Sequence, residues 1–182
     1  MVKVPRPGRV KTRLGRGIGM TTAAWWFRHQ TNALIRRLRD PRWHIVLAVT
    51  PDHEGLQFRA WPRDIERIPQ GAGDLGARMA RVLRSTPGPT LLIGADIPGI
   101  TRVNIARAFD ALGSSPSAIG PATDGGYWCV ALRHPAYPPR RMFDGVRWSS
   151  EHALDDTLPT LPQPVARLAQ LADVDCADDL KT

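Results

Sequence analysis

The chain has 182 residues, enough for one domain with a sizeable hydrophobic core, and 42% of them are apolar. No apolar run is long enough to cross a bilayer, and the first residues lack the apolar core of a secretory signal, so we expect a cytoplasmic protein. The cysteines, Cys129 and Cys176, lack metal-ligand spacing and are expected to be free thiols. The formal net charge is +8, and ten basic residues precede the first acidic one, Asp40. This positive N-terminal third predicts attraction to phosphate, whether on a nucleotide, a nucleic acid or a membrane surface.

The first chemically informative segment is the basic, glycine-rich stretch of residues 5–19. Its four glycines and two prolines predict a loop. Lys11 and Arg13 on such a loop can hold phosphate oxygens, the first as a point charge and the second as a two-pronged donor; the alternative is a mobile basic surface loop. Val10 stands directly before Lys11, where a P-loop requires glycine, which excludes a P-loop ATPase. Only four residues precede this stretch, so the first strand is predicted to be very short or missing.

Helices and strands are then predicted to alternate. An apolar stripe predicts a helix capped by Thr21 or Thr22, on which Trp25 and Trp26 are expected to pack in the core. Asp74 and Thr101 are predicted to cap two more helices. Buried strands are predicted at residues 45–49 and 90–93, a short strand at 65–68, and a loose segment at 52–62.

This alternation implies right-handed crossovers and a parallel core. Residues 117–120 and 128–132 read as two strands whose connection is too short for a crossover helix, so their pairing is predicted to be antiparallel and the sheet mixed. A short helix from Ser149 or Ser150 to Leu158, a strand at 165–168 and a capping box at 175–178 complete the prediction. The expected architecture is a single α/β domain over residues 1–182.

Asp96 stands just past the strand at residues 90–93, at the carboxyl edge where open α/β sheets bind ligands. A carboxylate there can hold a hard divalent cation, which can in turn hold phosphate oxygens. The alternative is that Asp96 caps a turn before Pro98.

A second glycine motif, Asp124, Gly125 and Gly126, is followed by Tyr127 and Trp128. Two glycines let a backbone approach a ligand closely, and the aromatic rings can cover a base or a sugar. The alternative is a glycine hairpin turn. The five histidines form no ligand pair, and the chain has no Gly-x-Ser-x-Gly hydrolase elbow.

Five segments together are more specific than any one of them. They occur in the order 7–14, 73–79, 93–98, 120–128 and 146–149. The set resembles a bacterial family labelled glycosyltransferase-like, with a nucleotide-diphospho-sugar transferase (GT-A) fold. It is similar, more distantly, to the guanylyltransferases of molybdenum-cofactor and phospholactate pathways, whose C-terminal ending resembles residues 173–180 here. The resemblance implies a three-layer Rossmann-like fold with a mixed, mostly parallel sheet.

The resemblance also implies roles for individual residues. A nucleotide would lie over the carboxyl edge of the sheet. The residues implied to bind it are Pro7, Gly8, Arg9, Lys11, Arg13, Gly73, Asp74 and Gly76. Those implied to face the second substrate are Asp124, Gly125, Gly126, Tyr127 and Trp148. Lys11, Arg13 and Asp96 would be the catalytic residues, and Asp96 would hold Mg²⁺ or Mn²⁺.

Four functions stay open at this point. The leading hypothesis is metal-dependent glycosyl transfer from a nucleotide sugar to a small-molecule acceptor. Gly94 stands where the first aspartate of a glycosyltransferase Asp-x-Asp motif would be, which leans toward the alternative, nucleotidyl transfer with release of pyrophosphate. A non-catalytic nucleic-acid-binding protein would use the Arg-rich N-terminal third, although we expect no nucleic-acid partner. An inactive relative, damaged by loss of the first strand, is the fourth.

Overall fold

The structure is a computed structural model that describes residues 1–181. Seven strands and six α-helices alternate for most of its length. The strands are β1 (Val2–Lys3), β2 (Val46–Thr50), β3 (Glu66–Pro69), β4 (Thr90–Ile93), β5 (Ser117–Pro121), β6 (Tyr127–Leu132) and β7 (Val165–Arg167). The α-helices are α1 (Thr12–Ile18), α2 (Met20–Leu38), α3 (Asp52–Gln57), α4 (Leu75–Arg84), α5 (Arg102–Ser114) and α6 (Ala153–Thr157). Residue 182, the last of the predicted domain, lies outside the described residues.

The strands form a parallel sheet in the order β1-β2-β3 and a mixed sheet in the order β4-β6-β5-β7, so parallel and antiparallel pairings both occur, as predicted. β1, β2 and β3 pair in parallel, β4 and β5 both pair antiparallel with β6, and β7 runs parallel to β5. The amino group of Met1 donates a hydrogen bond of 2.6 Å to the carbonyl of Ile93. This contact puts the start of β1 beside the end of β4, so the two sheets adjoin there. The first strand is two residues long, which confirms the expectation of a very short β1.

Helices cover both faces of the mixed sheet. Ile119 and Val130 pack on one face in the cluster that contains Met79 of α4. The neighbouring residues in the two strands, Ala118 and Ala131, pack on the other face with Leu112 of α5. Side chains that alternate between faces and are buried on each are what a three-layer α/β domain requires.

The predicted stripe of α2 is buried, but four expectations about the N-terminal half are wrong. Residues 5–19 are not all loop, because α1 begins at Thr12. Neither Thr21 nor Thr22 caps α2, which begins at Met20 after Gly19, and Trp25 is 60% exposed. Residues 52–62 include helix α3, whose Gly55 packs against Val49 of the sheet.

The C-terminal half follows the prediction more closely. The caps of α4 and α5 are Asp74 and Thr101, as expected. α6 begins at Ala153, a few residues later than predicted. In the last turn the backbone N–H groups of Asp175 and Cys176 donate to the carboxylate of Asp179.

No helix among residues 1–181 is both long enough and apolar enough to cross a bilayer. The two cysteines are free, with Cys129 buried and Cys176 exposed.

Candidate active site

Lys11 stands at the start of α1, between two buried apolar anchors. Val10 and Leu14 both point into the core, which fixes the chain on each side of the lysine. Lys11 has a φ of 45°, in the left-handed backbone region that residues other than glycine and asparagine rarely adopt. The backbone N–H of Gly15 donates to the carbonyl of Lys11, and this bond begins the helix. A strained residue held by packed neighbours is common at functional sites.

Asp96 lies directly against this lysine. The Lys11 Nζ is 2.7 Å from the Asp96 Oδ2. The carboxylate follows β4 and is flanked by the buried side chains of Ala95 and Ile97. A Cβ at Gly94 would lie 2.9 Å from the Asp96 Oδ1, so the glycine leaves room for the carboxylate. The basic N-terminal turn and the mid-chain acid therefore meet, although 85 residues of chain separate them.

Two further carboxylates arrive from the C-terminal segment. Val174 is buried and its backbone N–H donates to the carbonyl of Asp96. In an extended segment the residues on either side of an inward-pointing side chain share the opposite face, and here they are Asp173 and Asp175. Asp175 accepts a 2.7 Å contact from Lys11 and a 3.3 Å contact from Arg13.

Asp124 lies on the turn between β5 and β6 and forms a group of three acids with Asp173 and Asp175. One oxygen of Asp124 accepts from the backbone N–H of Gly126 at 2.8 Å, which closes the turn. Gly125 has a φ of 84° and sits against the backbone of Glu151. The aspartate cluster, defined as Asp124, Asp173 and Asp175, has ligand oxygens within 4.8 Å of one another.

The local electrostatics reflect this crowding. Burial and the neighbouring charges of Asp124 and Asp175 raise the pKa of Asp173 to about 6, against a small opposing effect of Lys11. Burial lowers the pKa of Lys11, but Asp96 and Asp175 outweigh it, and the net pKa of the lysine is raised. The lysine is therefore a permanent cation between acids. Three hard oxygen donors at this spacing suit Mg²⁺ or Mn²⁺ better than a soft metal.

These residues line one cleft of about 710 Å³. That volume lies within the roughly 300–1,000 Å³ of small-molecule sites. Its charged lining includes the lysine, Arg13 and all four aspartates named above. Its apolar lining includes Leu75, Met79, Tyr127 and Trp148. The cleft thus offers cations for phosphate, acids for a metal and aromatic surface for a base or a sugar.

The structure places the sequence-predicted residues in two groups. Those that line the cleft are Arg9, Lys11, Arg13, Asp96, Asp124, Gly126, Tyr127 and Trp148. Those that lie outside its lining are Pro7, Gly8, Gly73, Asp74, Gly76 and Gly125.

Two residues of the second group, Asp74 and Gly76, support side chains that line the cleft. Asp74 accepts from the backbone N–H of Ala77 at 2.8 Å and so caps α4, the helix that presents Leu75 to the cleft. A Cβ at Gly76 would lie 2.8 Å from the ring of Trp148, so this glycine lets the ring pack against the helix.

Sequence reasoning did not assign Asp173 and Asp175 to the site. The signal was present in the pattern acid–valine–acid, which predicts two carboxylates on one face of an extended segment. Ser149 was also missed; it lines the cleft with a φ of 59°. Nothing in its own residue type predicts that conformation.

Comparison with known proteins agrees with the fold. Residues 33–150 match the family described as "Uncharacterized protein conserved in bacteria (DUF2064)". A crystal structure of a "putative nucleotide-diphospho-sugar transferase" from Desulfovibrio desulfuricans is similar over 96% of this chain and 80% of that chain, with a TM-score of 0.80 and 30% identity. A search of curated proteins finds no match.

Two mycobacterial structures show the same fold at lower identity. Rv0371c from Mycobacterium tuberculosis superposes over 85% of this chain and 81% of that chain, with a TM-score of 0.52 and 15% identity. Its homologue from a Mycobacterium species superposes over 85% and 79%, with a TM-score of 0.52 and 16% identity. With more than half of its length matched by the family pattern, the chain belongs to the DUF2064 family and has a nucleotide-diphospho-sugar transferase-like fold.

Proposed function

We propose that the protein is a metal-dependent transferase that uses an activated nucleotide, with glycosyl transfer from a nucleotide sugar to a small-molecule acceptor as its reaction. One observation carries the proposal: Lys11 contacts Asp96 and Asp175 at 2.7 Å each, inside a cleft large enough for a nucleotide sugar. The similar crystal structure from Desulfovibrio desulfuricans, described as a "putative nucleotide-diphospho-sugar transferase", supports it.

The division of labour follows from the charges. Lys11 and Arg13 would bind the diphosphate, because a lysine and an arginine at one rim can neutralise its oxygens. Asp96 would hold Mg²⁺ or Mn²⁺ together with carboxylates of the aspartate cluster, and such an ion supplies electrostatic stabilisation of the diphosphate charge. Tyr127 and Trp148 would cover the sugar or the acceptor.

In this reaction an acceptor hydroxyl attacks the anomeric carbon and loses its proton to solvent, while the bond from that carbon to the diphosphate breaks and the nucleoside diphosphate leaves with its electrons. The residues serve the step by placing positive charge where the leaving group gains negative charge, which is the largest catalytic effect such a site offers. The remaining task, alignment of the acceptor, falls to the apolar lining of the cleft.

A thermal-shift screen of nucleotides and nucleotide sugars, with and without Mn²⁺, identifies the donor, because a ligand that binds only the folded state raises the Tm. With that donor, Asp96→Ala is expected to lower turnover about 100-fold or more. Asp64→Ala is the matched control, since Asp64 is an exposed aspartate paired with Arg39 away from the cleft. Full activity of Asp96→Ala would refute the metal role.

Nucleotidyl transfer is the second candidate. Gly94 stands two residues before Asp96, so the strand end carries one acid rather than the Asp-x-Asp pair, and the other carboxylates come from separate segments. In this reaction a substrate phosphate attacks the α-phosphorus of a nucleoside triphosphate and pyrophosphate leaves. Chromatography of the products decides between the two: a nucleoside diphosphate indicates glycosyl transfer, and pyrophosphate indicates nucleotidyl transfer.

A further inference from the structure

The side chain of Lys11 occupies the centre of the acidic side of the cleft. Its Nζ lies 2.7 Å from an oxygen of Asp96 and 2.7 Å from an oxygen of Asp175. The side chain is 8% exposed, whereas those of Asp96 and Asp175 are 33% and 37% exposed. One buried ammonium therefore sits between two carboxylates that remain open to solvent. A hard divalent ion would seek the same oxygens.

Two basic side chains of the cleft, Lys11 and Arg13, both touch Asp175, and Lys11 also touches Asp96. The lining further carries Lys3, Arg9 and Glu151. A divalent ion that entered alone would find the Lys11 ammonium already in contact with the carboxylate oxygens that the ion needs as ligands. A diphosphate that entered alone would meet the acids. When both enter, the ion takes the carboxylates and the lysine is free to pair with the phosphate.

We propose that Lys11 is an internal counter-ion that holds the cation's place in the ligand-free protein and transfers to the diphosphate when the divalent ion arrives. This inference rests on the proposed function. It adds that the ion and the diphosphate bind cooperatively, each only weakly without the other. A lysine suits this part because its charge is compact and its four-carbon stem is flexible. The anchors Val10 and Leu14 keep its backbone fixed while the side chain moves.

The alternative role for Lys11 is structural, as a salt bridge that only ties the N-terminal turn to the C-terminal segment. The two roles predict opposite effects of neutralising it on metal affinity. If the lysine competes with the ion, its removal strengthens the binding of metal alone. If it only holds the acids in position, its removal leaves that affinity unchanged or weakens it.

The test measures Mn²⁺ binding, in the absence of any phosphate, by electron paramagnetic resonance of the free ion. Lys11→Met removes the charge and keeps an apolar stem. It is expected to lower the Kd for Mn²⁺ about tenfold or more, because coupling between two binding events typically changes an affinity by about 5- to 150-fold. Lys11→Arg keeps the charge and is expected to stay within about threefold of the unaltered protein. Arg39→Met is the matched control, because it frees an exposed aspartate outside the cleft. An unchanged or higher Kd in Lys11→Met overturns the proposal.

A second measurement needs no variant and covers the case in which Lys11→Met fails to fold. Pyrophosphate is titrated into the unaltered protein by calorimetry, once in EDTA and once with Mn²⁺, and the heat of Mn²⁺–pyrophosphate formation in buffer is subtracted. Binding at least tenfold tighter with Mn²⁺ is expected from reciprocal coupling. Equal affinity in both conditions overturns the proposal while leaving the phosphate site intact. Absence of binding in both overturns the inference and the proposed function together.

Discussion

The turn that carries Asp124 offers a direct test of how the site is held. Gly125 has a φ of 84°, and a Cβ there would lie 2.3 Å from the carbonyl oxygen and 2.5 Å from the Cα of Glu151. The backbone N–H of Leu154 donates to the Gly125 carbonyl at 3.0 Å, which fixes the two segments together. In Gly125→Ala the methyl group has to push backbone atoms apart, and Asp124 moves with the turn.

The expected cost has two parts. A residue with a Cβ in the left-handed region loses roughly 1–2 kcal/mol. Overpacking against a fixed neighbour adds roughly 1–3 kcal/mol. Together these predict about 2–5 kcal/mol of lost stability, and at about 2–4 °C per kcal/mol for a chain of this size, a Tm about 4–20 °C lower.

Two other glycines separate these contributions. Gly145 has a φ of 74° with nothing within 4 Å of its added Cβ, so Gly145→Ala reports the backbone cost alone. Gly113 lies in the last turn of α5 with open space around it, so Gly113→Ala is expected to be neutral or to stabilise by up to about 1 kcal/mol. The assay is thermal unfolding followed by circular dichroism. If Gly125→Ala loses no more stability than Gly145→Ala, the contact with Glu151 does not restrain the turn and the reasoning is refuted.

Two further predictions concern acids at the cleft and behind it. The raised pKa of Asp173, about 6, means that the folded protein holds this proton more tightly than the unfolded chain, so its contribution to stability is present below pH 4 and is lost as the pH rises to 6. Asp173→Asn is therefore expected to raise the Tm at pH 7.5 and to leave it nearly unchanged at pH 4; an equal shift at both values would contradict this origin. Asp74 caps α4 through its 2.8 Å bond to Ala77, so Asp74→Ala is expected to cost about 1 kcal/mol in urea unfolding, whereas Asp74→Asn keeps the cap. A loss of equal size in both variants would show that charge rather than capping matters at this position.

The elements that sequence patterns predicted are those whose reasons are local. The run at β4 is apolar and ends in a glycine, the stripe of α2 repeats at helical spacing, and Asp74 precedes a strong amphipathic segment. Each is specified within about ten residues of chain, and each is found.

The errors arose where tertiary packing overrides composition. α1 contains Gly15 and Gly17, which argued for a loop. In the structure Gly15 is buried, and its Cβ would lie 2.5 Å from the Sδ of Met20, so the glycine is needed where α1 and α2 pack together. α3 is six residues long and carries no apolar stripe, so its pattern gave no helical signal.

The candidate site was predictable only in part for a similar reason. Lys11, Asp96 and Asp124 each carried a local motif. That they meet, and that Asp173 and Asp175 join them, follows from sheet order and from the docking of Val174, neither of which is encoded in residue spacing.

The contact between Lys11 and Asp175 spans 164 residues of sequence. On the ribosome Lys11 is therefore made long before Asp175, and the contact can form only after the intervening residues have been synthesised. Until then the N-terminal cation faces Asp96 alone. If the proposed function holds, nucleotide binding is expected to appear late and abruptly during translation, when the C-terminal segment docks.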